Sequence, residues 1–147
     1  MAYVALADAN TYFSTKMHTE PWDDSSDAKK TKALAHATVI IDRLNYAGSK
    51  TEDAQANEFP RNDNTVIPQD ILDASCEIAK ALLDGVDPEA EFTDIGISNQ
   101  GYSSVRSSYD TNMARDYIVA GVPSATAWRL LLPYFRDANS FILSRVS

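Results

Sequence analysis

Residues 26–46 read SDAKKTKALAHATVIIDRLNY, the most regular amphipathic stretch of the chain. Leu34, Ala37, Ile41 and Leu44 recur at intervals of three and four, which places them on one face of a helix. Ser25 or Ser26 can cap the start of this helix, and we expect it to run to about Tyr46, before Gly48. The pattern therefore predicts a long core-forming helix.

Two further helices are expected on either side of it. The first runs from Leu6 to Met17 and is ended by Pro21 and the residues before it. Trp22 follows, and we expect it to fold back over the core as a lid. The last of the three starts at Pro68 and continues to Leu83, before Gly85, with a broad apolar face. Between them, residues 48–67 are predicted to form a connection in which Pro60 excludes a continuous helix.

The pattern changes after residue 88. Residues 95–109 are rich in Ser, Tyr, Val and Ile, and Asn99-Gln100-Gly101 is a plausible turn, so a β-hairpin is predicted there. A short helical turn at 113–119 and a last helix from Ala125 to Leu132, capped by Ser124 and broken by Pro133, are expected to follow.

The predicted fold is mainly α. It is a small bundle of three to four helices with an inserted β-hairpin and an extended C-terminal tail. The expected division is a helical body over 1–92, a hairpin over 93–110, and a C-terminal helix with its tail over 111–147, as one domain plus an appendage. Because the apolar tail is too thin to form its own core, this arrangement is typical of a subunit of a larger assembly.

Charge is distributed unevenly over the 147 residues. The net charge is −8, with 18 Asp and Glu against 8 Lys and Arg in residues 1–100, and 3 Asp against 5 Arg in residues 101–147. An acidic body disfavours tight binding to a phosphate backbone. The longest apolar runs are far too short to span a membrane, and the start of the chain lacks a signal-peptide pattern, so no membrane association is expected.

No catalytic or metal-binding pattern is found, so we expect neither an enzyme nor a cofactor nor a metal. Acidic pairs such as Asp23/Asp24 and Glu52/Asp53 have no accompanying His and no calcium-loop spacing. His18 and His36 are interpreted as surface residues. Cys76 is the only cysteine and falls within a helical apolar pattern, which indicates a buried core residue.

Two small patches combine aromatic and basic residues, as single-strand DNA-binding proteins do. One comprises Tyr102, Arg106 and Tyr109; the other comprises Trp128, Arg129, Tyr134, Phe135 and Arg136. Helix packing and protein contacts explain the same aromatics, and the acidic net charge opposes DNA binding. From the residues alone, packing and protein contacts are favoured.

The order of several short motifs resembles a known family. The opening stretch from Tyr3 to Phe13 resembles the start of tailed-phage head–tail connector proteins, also called adaptor or head-completion proteins. Later landmarks match in order: Trp22, the helix around 32–44, Phe59-Pro60-Arg61, Ile67-Pro68, a glycine-containing hairpin near 95–109, and Leu131-Leu132-Pro133-Tyr134. Ala5 departs from the family, which often has Ser or Thr there. Some members carry the label of DnaT-like single-stranded-DNA-binding proteins.

The resemblance implies a structural virion protein at the head–tail interface, assembled in the host cytoplasm. Twelve copies would form a ring under the portal protein and receive the stopper or tail, and DNA would pass through the channel without specific binding. The C-terminal segment would contact the portal through Trp128, Arg129, Leu132, Tyr134, Phe135, Arg136, Phe141 and Ile142. The hairpin would contact the neighbouring subunit through Ile97, Tyr102, Val105, Arg106 and Tyr109. The alternatives are a single-stranded-DNA-binding replication accessory protein and a generic helical interaction module.

Overall fold

The computed structural model describes residues 2–89 and 116–136. The helices are α1 (Leu6–Ser14), α2 (Glu20–Asp23), α3 (Asp27–Asp42), α4 (Gln69–Leu83), α5 (Asp116–Val119), α6 (Ala125–Leu131) and a 3-10 turn (Leu132–Tyr134). Every regular element within these two ranges is helical, so the mainly α prediction is confirmed. The predicted hairpin over 93–110 lies outside the described residues and receives no support from them.

Helix α3 begins where the sequence indicates and ends earlier. The Ser26 hydroxyl accepts a hydrogen bond from the Lys29 amide at 3.3 Å, which confirms the cap. At the other end, the amides of Arg43 and Leu44 bond to carbonyls three residues back, which tightens the last turn. The chain then bends so that the buried Tyr46 ring packs in the core and its hydroxyl donates to the Ile41 carbonyl at 2.7 Å. The predicted extension of the helix to Tyr46 is therefore wrong.

The N-terminal helix is shorter than predicted, and a short helix follows it. Helix α1 ends at Ser14 rather than at Met17, and His18 adopts a left-handed conformation, with φ of 62°. Trp22 lies in α2 and is buried, with its indole N–H donating to Asn10 Oδ1 at 3.0 Å. The expected lid is thus confirmed, but it is carried by a helical turn that the sequence pattern did not reveal.

Helix α4 is the centre of the core. Ile71, Ala74 and Ile78 are fully buried on it. Helices α3 and α6 both pack against α4, and α6 contributes the fully buried Ala127 and Leu131. The α6 cap is confirmed as well, since the Ser124 hydroxyl accepts from the Ala127 amide at 3.2 Å.

The C-terminal residues that the structure describes therefore belong to the same core as the N-terminal helices. The boundaries predicted at residues 92 and 110 fall outside the described ranges, so the three-part division stays a prediction. Among the described helices, none is long and apolar enough to cross a membrane.

Candidate nucleic-acid interface

A short antiparallel pairing shapes the loop between α3 and α4. The Thr51 amide donates to the Pro60 carbonyl at 3.1 Å, and the Asn62 amide donates to the Ser49 carbonyl at 2.9 Å. The turn that follows closes with a hydrogen bond from the Asn64 amide to the Arg61 carbonyl at 3.2 Å. The two residues inside this turn have positive φ angles, a conformation that their types, Asn and Asp, tolerate better than most.

Arg61 holds this loop together from inside. Its guanidinium donates to the carbonyls of Ala47 and Gly48, at 3.1 and 2.8 Å, and to the Glu58 carboxylate at 2.8 Å. The residue is 7% exposed. Because its donors are engaged within the loop, Arg61 serves the fold and is not a free phosphate contact. Sequence reasoning used this residue only as a family landmark.

A second buried contact joins the N-terminus to the same loop. The Tyr3 hydroxyl donates to the Asp42 carboxylate and accepts a hydrogen bond from the Phe59 amide at 3.2 Å. Asp42 also accepts from the Glu58 amide at 3.2 Å. Burial raises the pKa of the Asp42 carboxyl above its ordinary value, and burial together with the nearby carboxylate raises the pKa of Tyr3. The loop is thus tied to both α3 and the first residues of the chain.

The C-terminal segment is attached to this loop by backbone hydrogen bonds. The Ala47 amide donates to the Tyr134 carbonyl at 2.9 Å, and the Arg136 amide donates to the Asn45 carbonyl at 3.2 Å. The Tyr134 hydroxyl donates to the Asp70 carboxylate at 3.1 Å, which fixes the segment to the start of α4. The position of residues 134–136 is therefore set by the loop that follows α3 and by the first turn of α4.

A row of aromatic rings runs from this segment into the core. Ring centroids lie 4.9 Å apart for Trp128 and Phe135, 5.6 Å for Phe135 and Tyr46, and 4.7 Å for Tyr46 and Phe59. The inner rings of Tyr46 and Phe59 are buried, whereas Trp128 and Phe135 are half-buried. The outer pair is therefore partly exposed to solvent, and Phe135 packs directly against the buried Tyr46 ring.

Each outer ring is followed in sequence by an exposed arginine. Arg129 follows Trp128 on α6, and Arg136 follows Phe135. We call these four residues the aromatic–arginine face. Aromatic rings and cationic side chains are the residue types that proteins binding a single strand of nucleic acid combine, because bases stack on the rings and phosphates meet the cations. The same rings also pack in the fold, as the sequence-based interpretation expected.

The remaining predicted contact residues divide between the described and undescribed parts of the chain. Leu132 and Tyr134 are half-buried next to the aromatic–arginine face. The other residues predicted to contact the portal or a neighbouring subunit lie outside the described residues: Phe141, Ile142, Ile97, Tyr102, Val105, Arg106 and Tyr109. The Arg106 patch considered for DNA binding is among them, so only the C-terminal patch has a described geometry.

Elsewhere, the described residues offer little for catalysis or metal binding. No group of three or more His, Cys, Asp or Glu among them is arranged to hold a metal ion. Cys76 is buried as expected, and this burial raises the pKa of its thiol to about 12, which leaves it unreactive at neutral pH. His36 and Arg43 line an open groove of about 340 Å³ between α3 and α5, and both residues are exposed.

In the part of the chain that the structure describes, these features define a small helical protein whose C-terminal segment combines half-buried aromatic rings with exposed arginines. The chain belongs to the family described as "Putative DnaT-like ssDNA binding protein", whose model matches residues 2–143. No curated protein and no solved structure matches it. The family match agrees with the DnaT-like label that some connector relatives carry, and it gives no support to the connector assignment itself.

Proposed function

We propose that this protein binds single-stranded DNA through the aromatic–arginine face. The observation that carries the proposal is the pairing of two half-buried rings, Trp128 and Phe135, with two exposed arginines, Arg129 and Arg136, in a member of this family. The proposed role is non-enzymatic, that of an accessory protein that holds a single strand.

The chemistry of the face suits a strand whose bases are unpaired. A base stacked on an aromatic side chain contributes about 1–3 kcal/mol and needs no particular sequence, since every base has a π-face. The Trp128 and Phe135 rings are tilted by 44° with centroids 4.9 Å apart, and Phe135 also stacks on Tyr46, so a base would stack on the parts of these rings that stay exposed. Duplex DNA hides its base faces and would use only the arginines.

The net charge of −8 sets limits on this binding. Attraction to phosphates must come from a local patch, because the protein as a whole repels a polyanion. We therefore expect modest affinity that falls as the salt concentration rises, with a preference for single strands over duplexes of the same length.

Fluorescence anisotropy on labelled oligonucleotides tests the proposal. The protein is titrated into a single-stranded 20-mer and into the matching duplex at low salt, about 0.05 M, where phosphate contacts are strongest. Tighter binding to the single strand is expected. Equal binding to both, or none to the single strand, would refute the proposal.

A second candidate is the head-to-tail adaptor, favoured by the acidic charge and by the ordered landmarks shared with connector proteins. In this proposal the protein forms a ring with itself, binds a portal protein on one side and a stopper or tail protein on the other, and resides in the virion. A ring of acidic subunits would repel the phosphate backbone, so that DNA passes without sticking. The same exposed arginines would then meet an acidic protein surface.

Negative-stain microscopy of the protein with and without a portal ring tests the adaptor proposal. Rings that dock on the portal are expected if the adaptor proposal is right. A protein that stays monomeric and never docks would rule it out. Charge reversal of channel-facing carboxylates that left DNA passage unchanged would contradict the repulsive-channel part alone.

A further inference from the structure

A small pocket lies next to the aromatic–arginine face. It has a volume of about 140 Å³. Its lining residues are Ala47, Phe59, Arg61, Asn62, Asn64, Pro68, Pro133 and Tyr134. Tyr134 belongs to the pocket, and the following residue, Phe135, belongs to the face. The volume is well below the roughly 300–1,000 Å³ of pockets for drug-sized ligands, so the space suits a single ring system.

Two side-chain amides supply the polar wall. Asn62 Oδ1 accepts a hydrogen bond from the Ser49 amide at 3.3 Å, and Asn64 Nδ2 donates to the Arg61 carbonyl at 3.0 Å. Among the described residues, no hydrogen bond uses the other half of either amide. The residues that line the pocket therefore have one donor, Asn62 Nδ2, and one acceptor, Asn64 Oδ1, that no described residue engages.

The Asn62 amide is held in place by its surroundings. Its side chain lies so close to Gly48 that a Cβ built there would come within 1.8 Å of Asn62 Oδ1. Gly48 also has a positive φ of 78°, which glycine adopts without strain. The amide is thus positioned before any ligand arrives, which lowers the entropic cost of recognition.

We propose that this pocket receives one base of a bound single strand, with the edge of the base against Asn62 Nδ2 and Asn64 Oδ1. The inference rests on the proposed single-strand binding and adds a base-reading position to it. A donor and an acceptor in one pocket can bind the Watson–Crick edge of an unpaired base, and single-stranded nucleic acids are read on that edge. The neighbouring rings of Trp128 and Phe135 would stack the bases that follow.

The variant Asn62→Asp tests the base contact with little change in shape. Aspartate keeps the oxygen that accepts from the Ser49 amide and tolerates the left-handed backbone, but it replaces the donor with an acceptor. Two acceptors in one pocket favour guanine, whose edge offers two neighbouring donors. Thr65→Asp is the matched control, because Thr65 is exposed, does not line the pocket and gains the same charge.

Affinities are measured for oligonucleotides that differ in one central base. Relative to Thr65→Asp, Asn62→Asp is expected to shift the preference toward guanine by about fivefold or more, whereas the added charge alone weakens all sequences equally. Identical base preferences in the two variants would overturn the pocket assignment and leave single-strand binding intact.

Mononucleotides separate a base in a strand from a free nucleotide. Nucleoside monophosphates are titrated while the side-chain amide NMR signals of Asn62 and Asn64 are followed. If no oligonucleotide binds but these signals shift, the pocket is a free-nucleotide site and the strand proposal fails. If neither ligand has any effect, both inferences are refuted.

Discussion

Replacing Arg129 and Arg136 together by alanine isolates the electrostatic contribution of the aromatic–arginine face. Both side chains are exposed. The hydrogen bond from Arg136 to Asn45 uses the backbone amide, so it survives the substitution. Alanine on α6 also favours the helix. The double variant should therefore fold normally, and any change in DNA binding reports on the lost charges.

The magnitude follows from counterion release. On single strands each phosphate contact contributes about −0.7 to the slope of log K against log salt concentration. Two arginines therefore give a slope of about −1.4, so the affinity of the unmodified protein should fall about sevenfold between roughly 0.05 and 0.2 M salt. At about 0.1 M salt the double variant should bind about 25-fold more weakly, with a slope near zero.

The matched control is Lys29→Ala with Lys32→Ala, which removes the same charge from the exposed surface of α3. At 1.5 Å per residue, Lys32 lies about 17 Å along the helix from Arg43, at the end near the face. Anisotropy titrations of all three proteins over a salt series provide the test. A control that loses as much affinity as the arginine variant, or a slope that the arginine variant leaves unchanged, would refute the reasoning.

Three further predictions concern the fold. Ser75 Oγ is fully buried and has no hydrogen-bond partner among the described residues. Ser75→Ala should therefore raise the free energy of unfolding, measured in urea, by about 1 kcal/mol. A lower free energy of unfolding would show that the hydroxyl has a hydrogen-bond partner. Leu131→Ala should lower it by about 3–5 kcal/mol, because Leu131 is fully buried on α6; a loss below about 1 kcal/mol would mean that α6 is not part of the core. Burial raises the pKa of the Asp42 carboxyl above 3.8, so its ionisation opposes folding as the pH rises through the folded-state pKa. The free energy of unfolding of Asp42→Asn should therefore increase relative to that of the unmodified protein between about pH 4 and 7. A relative decrease over this range would show that the Asp42 pKa is not raised by folding.

The helices that the sequence predicted best are those with local start and stop signals. Ser26 and Ser124 are side-chain caps whose partners lie three residues away, so the sequence contains both halves of each contact. The apolar spacing of α3 and α4 is equally local, since a helix brings neighbours at three and four residues together. These features needed no knowledge of the tertiary structure.

The parts that sequence reasoning missed depend on distant partners. Helix α3 stops before Tyr46 because that ring is drawn into a core formed with Phe59 and Phe135. The buried Arg61 looks like an ordinary surface cation in sequence, and its partners become apparent only when the loop closes. Hydrophobic periodicity does not predict such contacts, because they are set by the packing of residues that are far apart in the chain.

The C-terminal site was predicted by composition but not by geometry. The sequence already joined Trp128, Arg129, Phe135 and Arg136 into one patch, and the structure places the two rings 4.9 Å apart. The Asn62 pocket could not be foreseen, because it forms only where a loop before α4 meets residues that follow α6. The one feature of the sequence that indicates this loop conformation is Asn62-Asp63, a pair that favours a turn with positive φ.

In the two candidate functions the same arginines contact different partners, a DNA strand or an acidic protein surface. A measurement that tells these partners apart therefore distinguishes the two functions. Mutating Trp128 or Phe135 would be ambiguous, because both rings continue the aromatic row into the core and their loss would also destabilise the fold. The arginines do not have this double role.

Binding to a strand releases counterions that are condensed on the DNA. The affinity therefore falls as a power of the salt concentration, and the exponent is proportional to the number of phosphates that the protein contacts. An acidic protein surface carries no comparable condensed layer, and its attraction is screened over the Debye length instead. The salt dependence of the arginine variant, measured with DNA and with a portal, therefore tells which partner these cations serve.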